Sequence, residues 1–83
     1  RSTKIAESAH ERRGLFDELK ALRTKIAKEK GLPPYVVFSD KSLHDMCAKL
    51  PLSEDDFLEV HGVGESKLAN YGEDFLAVIA QHA

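Results

Sequence analysis

An aromatic ring pre-set by two prolines is the first group in this chain that invites a chemical role, since Tyr35 follows Pro33 and Pro34 directly. Proline fixes its own φ and restricts the residue before it, so such a ring is ordered before any ligand arrives. A base stacking on it contributes ~1–3 kcal/mol without sequence preference, which suits single-stranded nucleic acid. The alternative is a tyrosine half-buried as a lid on the core with its hydroxyl outside. Cations able to meet phosphates lie on both sides of it. At roughly 100° per residue Leu15, Leu19, Leu22 and Ile26 cluster within about 60°, while Arg13, Lys20 and Lys28 fall on the opposite, solvent side. Asp17 sits at helical spacing from both Arg13 and Lys20 and partly neutralises them. Arg23 borders the apolar stripe, where its stem can pack and its guanidinium pair with an acid. Lys41 adds to the patch, although a lysine in the first turn of a helix opposes the dipole.

A second candidate is the turn Val60-His61-Gly62-Val63-Gly64. A hairpin of this kind between two helices offers backbone N–H groups to a phosphate at a helix N-terminus, with Lys67 one turn later. Against that use, Glu59, Glu65, Glu73 and Asp74 flank the turn and repel phosphate at short range. A purely structural turn is the simpler expectation, with the phosphate turn of Gly62, Gly64 and Lys67 as the minor one. Catalysis has no comparable constellation. His10, His44, His61 and His82 show no HxxxH spacing, and the paired acids are adjacent within a helix turn and point apart. The lone Cys47 falls on an apolar stripe, so neither a disulfide nor a paired metal or redox thiol is expected. No metal, no cofactor and no catalytic residue are expected.

The elements that must hold these groups are helices. From Arg12 the apolar steps of 4, 3 and 4 describe a helix of roughly 16 to 18 residues that ends at Gly31 and the two prolines. Residues 1–11 read as a linker or N-terminal extension, helical at most in their last turn, and residues 12–83 as the domain. The stretch from Pro33 to Phe38 reads as an extended connection, because two prolines and no partner strand argue against a sheet. Ser39 or Asp40 caps a second helix bearing Leu43, Met46, Cys47 and Leu50, closed by Pro51. Ser53, with Asp56 three residues on, opens a short third helix carrying Phe57 and Leu58. A fourth runs from about Glu65 to Asn70 and stops at Gly72, and a fifth starts near Glu73 with Phe75, Leu76, Val78 and Ile79 inside. The fold class is therefore all-α, a compact five-helix bundle containing a helix-hairpin-helix-like turn and leaving no room for an active-site cleft.

Composition bounds the rest. Eighty-three residues fit one domain, too small for two cores. The net charge of −2 hides an asymmetry: residues 1–30 carry nine Lys/Arg against five Asp/Glu, and residues 31–83 carry three against nine. Phosphate contacts should come mainly from the first half, while the acidic second half repels nucleic acid or faces another protein surface. No run approaches ~18 consecutive apolar residues and the polar start lacks a signal-peptide segment, so a cytosolic protein with no membrane partner is expected.

Leu15-Phe16, Leu19, Leu22-Arg23 and Ile26-Ala27, then Pro33-Pro34-Tyr35-Val36-Val37-Phe38-Ser39-Asp40, Leu43, and finally Gly62-Val63-Gly64, Lys67-Leu68, Tyr71-Gly72 and Phe75 together resemble the HRDC domain, most closely its bacterial RecQ-helicase version. Single pieces are weak; the two central motifs in order are specific. The resemblance implies a non-catalytic five-helix accessory domain of an ATP-dependent DNA helicase acting in DNA repair and recombination, in a bacterial, nucleoid-associated setting. It implies weak binding of single-stranded DNA or DNA junctions, with the tyrosine matching Tyr35 involved. Other domains of the parent helicase are implied partners, and the domain itself is a monomer. In the same family the glycine hairpin mainly holds the bundle together. Two alternatives stand beside this: an HRDC domain of a ribonuclease D-like enzyme holding RNA, and a protein-docking module that uses the acidic second half.

Overall fold

Five helical segments account for most of the described chain, and each begins or ends at a feature visible in the residues. The computed structural model describes the backbone of residues 2–83 and the side chains of residues 13–83. Helix α1 spans Ser2–Lys30 and buries Leu15, Leu19, Ile26 and Ala27. It ends in a Schellman motif: Gly31 takes φ +68°, its N–H donates to the Lys28 carbonyl at 3.3 Å, and Leu32 N–H donates to the Ala27 carbonyl at 2.8 Å. The helix starts upstream of the apolar stripe, so the stretch expected to be a linker continues as helical backbone from Ser2.

The connection from Pro33 to Phe38 is a turn of helix rather than an extended strand-like segment. Helix α2, Pro34–Val37, has Pro33 as its N-cap and Pro34 at its first position, where the missing N–H costs nothing. One turn suffices to aim Val37 and then Phe38 inward, both fully buried. Helix α3, Asp40–Lys49, is capped by Ser39, whose Oγ accepts from the Ser42 N–H at 3.2 Å, and it ends with Leu50 in the left-handed region ahead of buried Pro51. Helix α4, Glu54–Leu58, is capped by Ser53 through the Asp56 N–H at 3.2 Å, as the spacing predicts, and its three acids occupy the first turn.

After the turn at 59–64 the chain is helical without a break from 65 to 82. Helix α5, Glu65–Lys67, passes into a π-helical turn, Leu68–Gly72, and on into helix α6, Glu73–His82. The expected stop at Gly72 is absent because Gly72 keeps helical angles of φ −56° and ψ −45°. Glycine leaves room there for the Leu68 side chain: a Cβ would lie 2.6 Å from Leu68 Cδ1, which would have to shift to admit it.

The core gathers around Phe38. Its ring meets Phe57 at 6.0 Å, Tyr71 at 5.8 Å and Phe75 at 4.7 Å, each pair inclined at 67° or more, the edge-to-face geometry that aromatic quadrupoles favour. Leu15, Leu19, Leu43, Met46 and Ile79 complete the buried shell. Arg23 reaches into the same region with only 6% of its surface exposed, donating from Nη1 to the Phe38 carbonyl at 3.1 Å and to Asp40 Oδ1 at 2.7 Å. This ties α1 to the junction between α2 and α3 and meets the expectation that its guanidinium would find an acid. No helix among the described residues is long and apolar enough to cross a membrane.

Candidate nucleic-acid interface

Because Val37 and Phe38 point into the core, the one-turn geometry of α2 turns Tyr35 and Val36 outward. Tyr35 is 70% exposed and Val36 40%, with Leu32 also on the surface. The half-buried-lid alternative for Tyr35 is therefore not what the fold produces. The result is a small apolar ridge carrying a ring on a proline-started turn whose Val37 is buried in the core.

The cations are distributed along α1 rather than gathered at one point. Lys20 and Lys28 share a shallow groove on its outer face with Asp17, Ala21, Thr24 and Lys25, so Lys25 is a cation that the helical-wheel reading missed. Arg13 is exposed on the same helix, and at ~1.5 Å rise per residue it lies roughly 22 Å along the axis from Lys28. These side chains can track a backbone but cannot enclose a single phosphate. Lys30, in the last turn of α1, is committed elsewhere: its Nζ stands 4.8 Å from the centre of the Tyr71 ring.

Lys41 stands in the first turn of α3, exposed and beside Asp40. Asp40 is held below the usual carboxylate range first by its hydrogen bond from Arg23 and by that residue's charge, with Lys20 and His44 adding smaller attractions. The opposing acid at the helix start is therefore largely engaged by a buried arginine, which leaves Lys41 as a net positive feature there. His44, one turn on, stacks flat on Phe16, with centroids 4.4 Å apart and planes inclined by 15°.

The glycine turn is clamped onto α3. Ser42 Oγ donates to the His61 carbonyl at 2.7 Å, Asp45 Oδ2 accepts from the His61 N–H at 2.7 Å, and Lys49 Nζ donates to the Glu59 carbonyl at 2.7 Å. The Val63 N–H bonds the Val60 carbonyl at 3.1 Å, and both valines are buried. Gly62 sits at φ +76°, whereas Gly64 is extended at φ −114° with open space beside it. Lys67 is half-buried with Nζ 5.3 Å from the centre of the Phe38 ring. Four amides of the 59–64 turn, those of Glu59, Val60, His61 and Val63, and the nearest lysine thus have internal partners. The clamping residues Ser42, Asp45 and Lys49 are not evident from sequence, because their partners lie 10 to 19 residues away.

No group of three or more His, Cys, Asp or Glu side chains able to hold a metal ion occurs among the described residues. Cys47 is buried in the core, as its place on the α3 stripe predicts.

The family model of the HRDC domain matches residues 12–79. The chain is 48% identical over 69 residues to the ATP-dependent DNA helicase RecQ of Bacillus subtilis, an alignment that takes in 83% of this chain and 12% of that protein. It is 41% identical over 68 residues to RecQ of Haemophilus influenzae, covering 82% of this chain and 11% of the relative. It is also 37% identical over 65 residues to the ATP-dependent DNA helicase UvrD2 of Mycobacterium tuberculosis, covering 78% of this chain and 9% of that protein. Among solved structures, HRDC domain 3 of D. radiodurans RecQ superposes with a TM-score of 0.81 at 33% identity, covering 84% of this chain and 92% of that one. The chain spans about a tenth of the length of the curated helicases it matches.

Proposed function

The chain belongs to the HRDC domain family, and on that footing we propose that it is a non-catalytic accessory domain of a RecQ-type helicase that binds single-stranded DNA weakly during repair and recombination. The observation that carries this reading is Tyr35, a 70% exposed ring fixed on a one-turn helix and preceded in sequence by a lysine-bearing helix face. Stacking on the ring supplies sequence-independent affinity, and Lys20, Lys28, Lys41 and Arg13 supply phosphate contacts. The domain needs no cofactor of its own; ATP hydrolysis belongs to other parts of the parent protein, which are its natural neighbours and partners. The named relatives are all DNA helicases, which favours DNA over the RNA of a ribonuclease D setting.

Fluorescence anisotropy with oligo-dT tests the reading. A dissociation constant around ~10⁻⁴–10⁻⁶ M is expected, and three phosphate contacts give a slope near about −2 in log K against log salt. Tyr35→Ala should weaken binding by ~1–3 kcal/mol with little change in that slope, because stacking releases few counterions. Lys41→Ala should flatten it by roughly 0.7. An absence of salt-dependent binding by the unaltered domain sinks the DNA reading. A second reading, docking of another protein segment, draws on one observation: Glu54, Glu65 and Glu73 rim a groove floored by Leu68, Ala69, Leu76 and Ala77.

A further inference from the structure

The groove between α3 and the glycine turn brings together five charged or titratable side chains: Lys41, His44, Asp45, Lys49 and His61 line it together with Ala48. Asp45 is the one carboxylate in that lining, and it is already occupied, accepting from the His61 N–H at 2.7 Å and from Lys49 Nζ at 3.0 Å. Lys49 is correspondingly spent on Asp45 and on the Glu59 carbonyl. Among the described residues Lys41 makes no ion pair, and neither imidazole of this groove does so. The other charged groups around it are Asp40, satisfied by Arg23, Lys20 on α1, and Glu59 at the start of the turn. His44 is held in place by its stack on Phe16. His61 is placed by two backbone bonds, its N–H to Asp45 and its carbonyl from Ser42. Two histidines set by separate constraints therefore open onto one groove that also holds an uncommitted lysine.

We propose that this groove is a phosphate subsite for the nucleic-acid backbone, in which Lys41 is joined by His44 and His61 once their rings are protonated. The proposal rests on the single-strand-binding reading and extends it from Lys41, already one of its phosphate contacts, to the two histidines that share its groove. Its sign follows from the charges. With both rings neutral, the lining carries two lysines against one aspartate; with both protonated it gains two further positive charges. Phosphodiesters stay anionic throughout, so affinity rises as pH falls through the histidine range near ~6.5. At 50 mM salt each additional contact, releasing ~0.7 counterions, corresponds to about an eightfold gain, and the salt slope steepens by about 0.7 per histidine engaged. By linkage the bound phosphate must in turn favour the protonated form of each ring it touches.

The test is oligo-dT anisotropy at pH 8.0 and at pH 5.5 for the unaltered domain and for His44→Gln/His61→Gln, with Tyr35→Ala alongside. The unaltered domain should tighten at low pH, while the histidine variant should match it at pH 8.0 and lose most of the low-pH gain. Imidazole Cε1–H NMR titrations of the unaltered domain, with and without oligo-dT, read the same linkage without any substitution. His44 and His61 should titrate higher with DNA bound, and His82, which pairs with Glu18 at 2.7 Å, should not move. DNA binding that responds to Tyr35→Ala, with no pH gain and no upward movement of His44 or His61, overturns the groove and leaves the function intact. No binding by the unaltered domain at either pH overturns both.

Discussion

Replacing Gly62 with alanine isolates one position where backbone conformation and packing act together. Gly62 is held at φ +76°, and a Cβ built there lies 2.8 Å from Ser42 Oγ, the atom that donates to the His61 carbonyl at 2.7 Å. The left-handed backbone costs an L-residue roughly 1–2 kcal/mol. Displacing the Ser42 hydroxyl forfeits a hydrogen bond with a net value of about 0.5–1.5 kcal/mol. A loss of about 1.5–3.5 kcal/mol follows, which for a domain of this size lowers Tm by roughly 6–28 °C. Gly64 is the internal control. It is the extended N-cap of α5 with nothing within 4 Å of its missing Cβ, so Gly64→Ser should be neutral or a few tenths of a kcal/mol stabilising, as serine suits an N-cap. Sequence alone treats these two glycines alike; the backbone angles separate them. Thermal and urea unfolding followed by far-ultraviolet circular dichroism would measure both. Ser42→Ala combined with Gly62→Ala should cost less than the sum of the single changes, because the crowded hydroxyl is gone. Equal losses at Gly62 and Gly64, or a Gly62→Ala loss under about 0.5 kcal/mol, would refute the reasoning.

Further outcomes follow from the same geometry. Phe38→Ala removes the ring that contacts three others and should cost ~3–5 kcal/mol, enough to leave a domain this small largely unfolded in a urea titration carried to zero denaturant. Arg23→Met keeps the buried stem but leaves the Phe38 carbonyl without its donor, an unsatisfied acceptor worth about 1–3 kcal/mol, read as a lower urea midpoint. Asp40 and Asp45 both titrate below the ordinary carboxylate value in the folded protein, the first mainly through Arg23's hydrogen bond, the second through the His61 N–H and then Lys49. A depressed folded pKa contributes stability that is present above ~3.9 and is lost as pH falls through the lower, folded value. Asp45→Asn should therefore flatten the acid limb of stability below about pH 4 and leave its pH dependence above about pH 5 unchanged, as a series of urea midpoints would show.

What the sequence made legible was local. The α1 stripe of Leu15, Leu19 and Ile26, the caps at Ser39 and Ser53 and the stop at Gly31 are each set by neighbours within one or two turns, or by an apolar periodicity that only one face can satisfy. Three misreadings have physical causes. Two prolines suppress helix signals, yet one of them suits the first helical position, so α2 reads as extended when it is a turn. Gly72 reads as a stop because glycine usually ends helices; here it makes room for the Leu68 side chain inside a π turn. Residues upstream of Arg12 lack an apolar face and read as linker, while the backbone of α1 runs on through them. The site divides in the same way. Tyr35 was found from its proline context, but the clamp of Ser42, Asp45 and Lys49 joins residues 10 to 19 apart in sequence, a distance at which periodicity carries no signal.

The position of Phe38 within the chain also governs when the domain can fold. Its three ring partners, Phe57, Tyr71 and Phe75, all follow it, and the last belongs to α6. A growing chain that has made α1, α2 and α3 has one apolar helical layer with nothing to close over it, because every aromatic lid is still to be synthesised. Helix α1 can form early, but the core is completed only when α6 arrives, so assembly is a cooperative step that couples α1 to α6. Truncation before Phe75 should therefore abolish the fold as a whole, leaving no stable subset of helices.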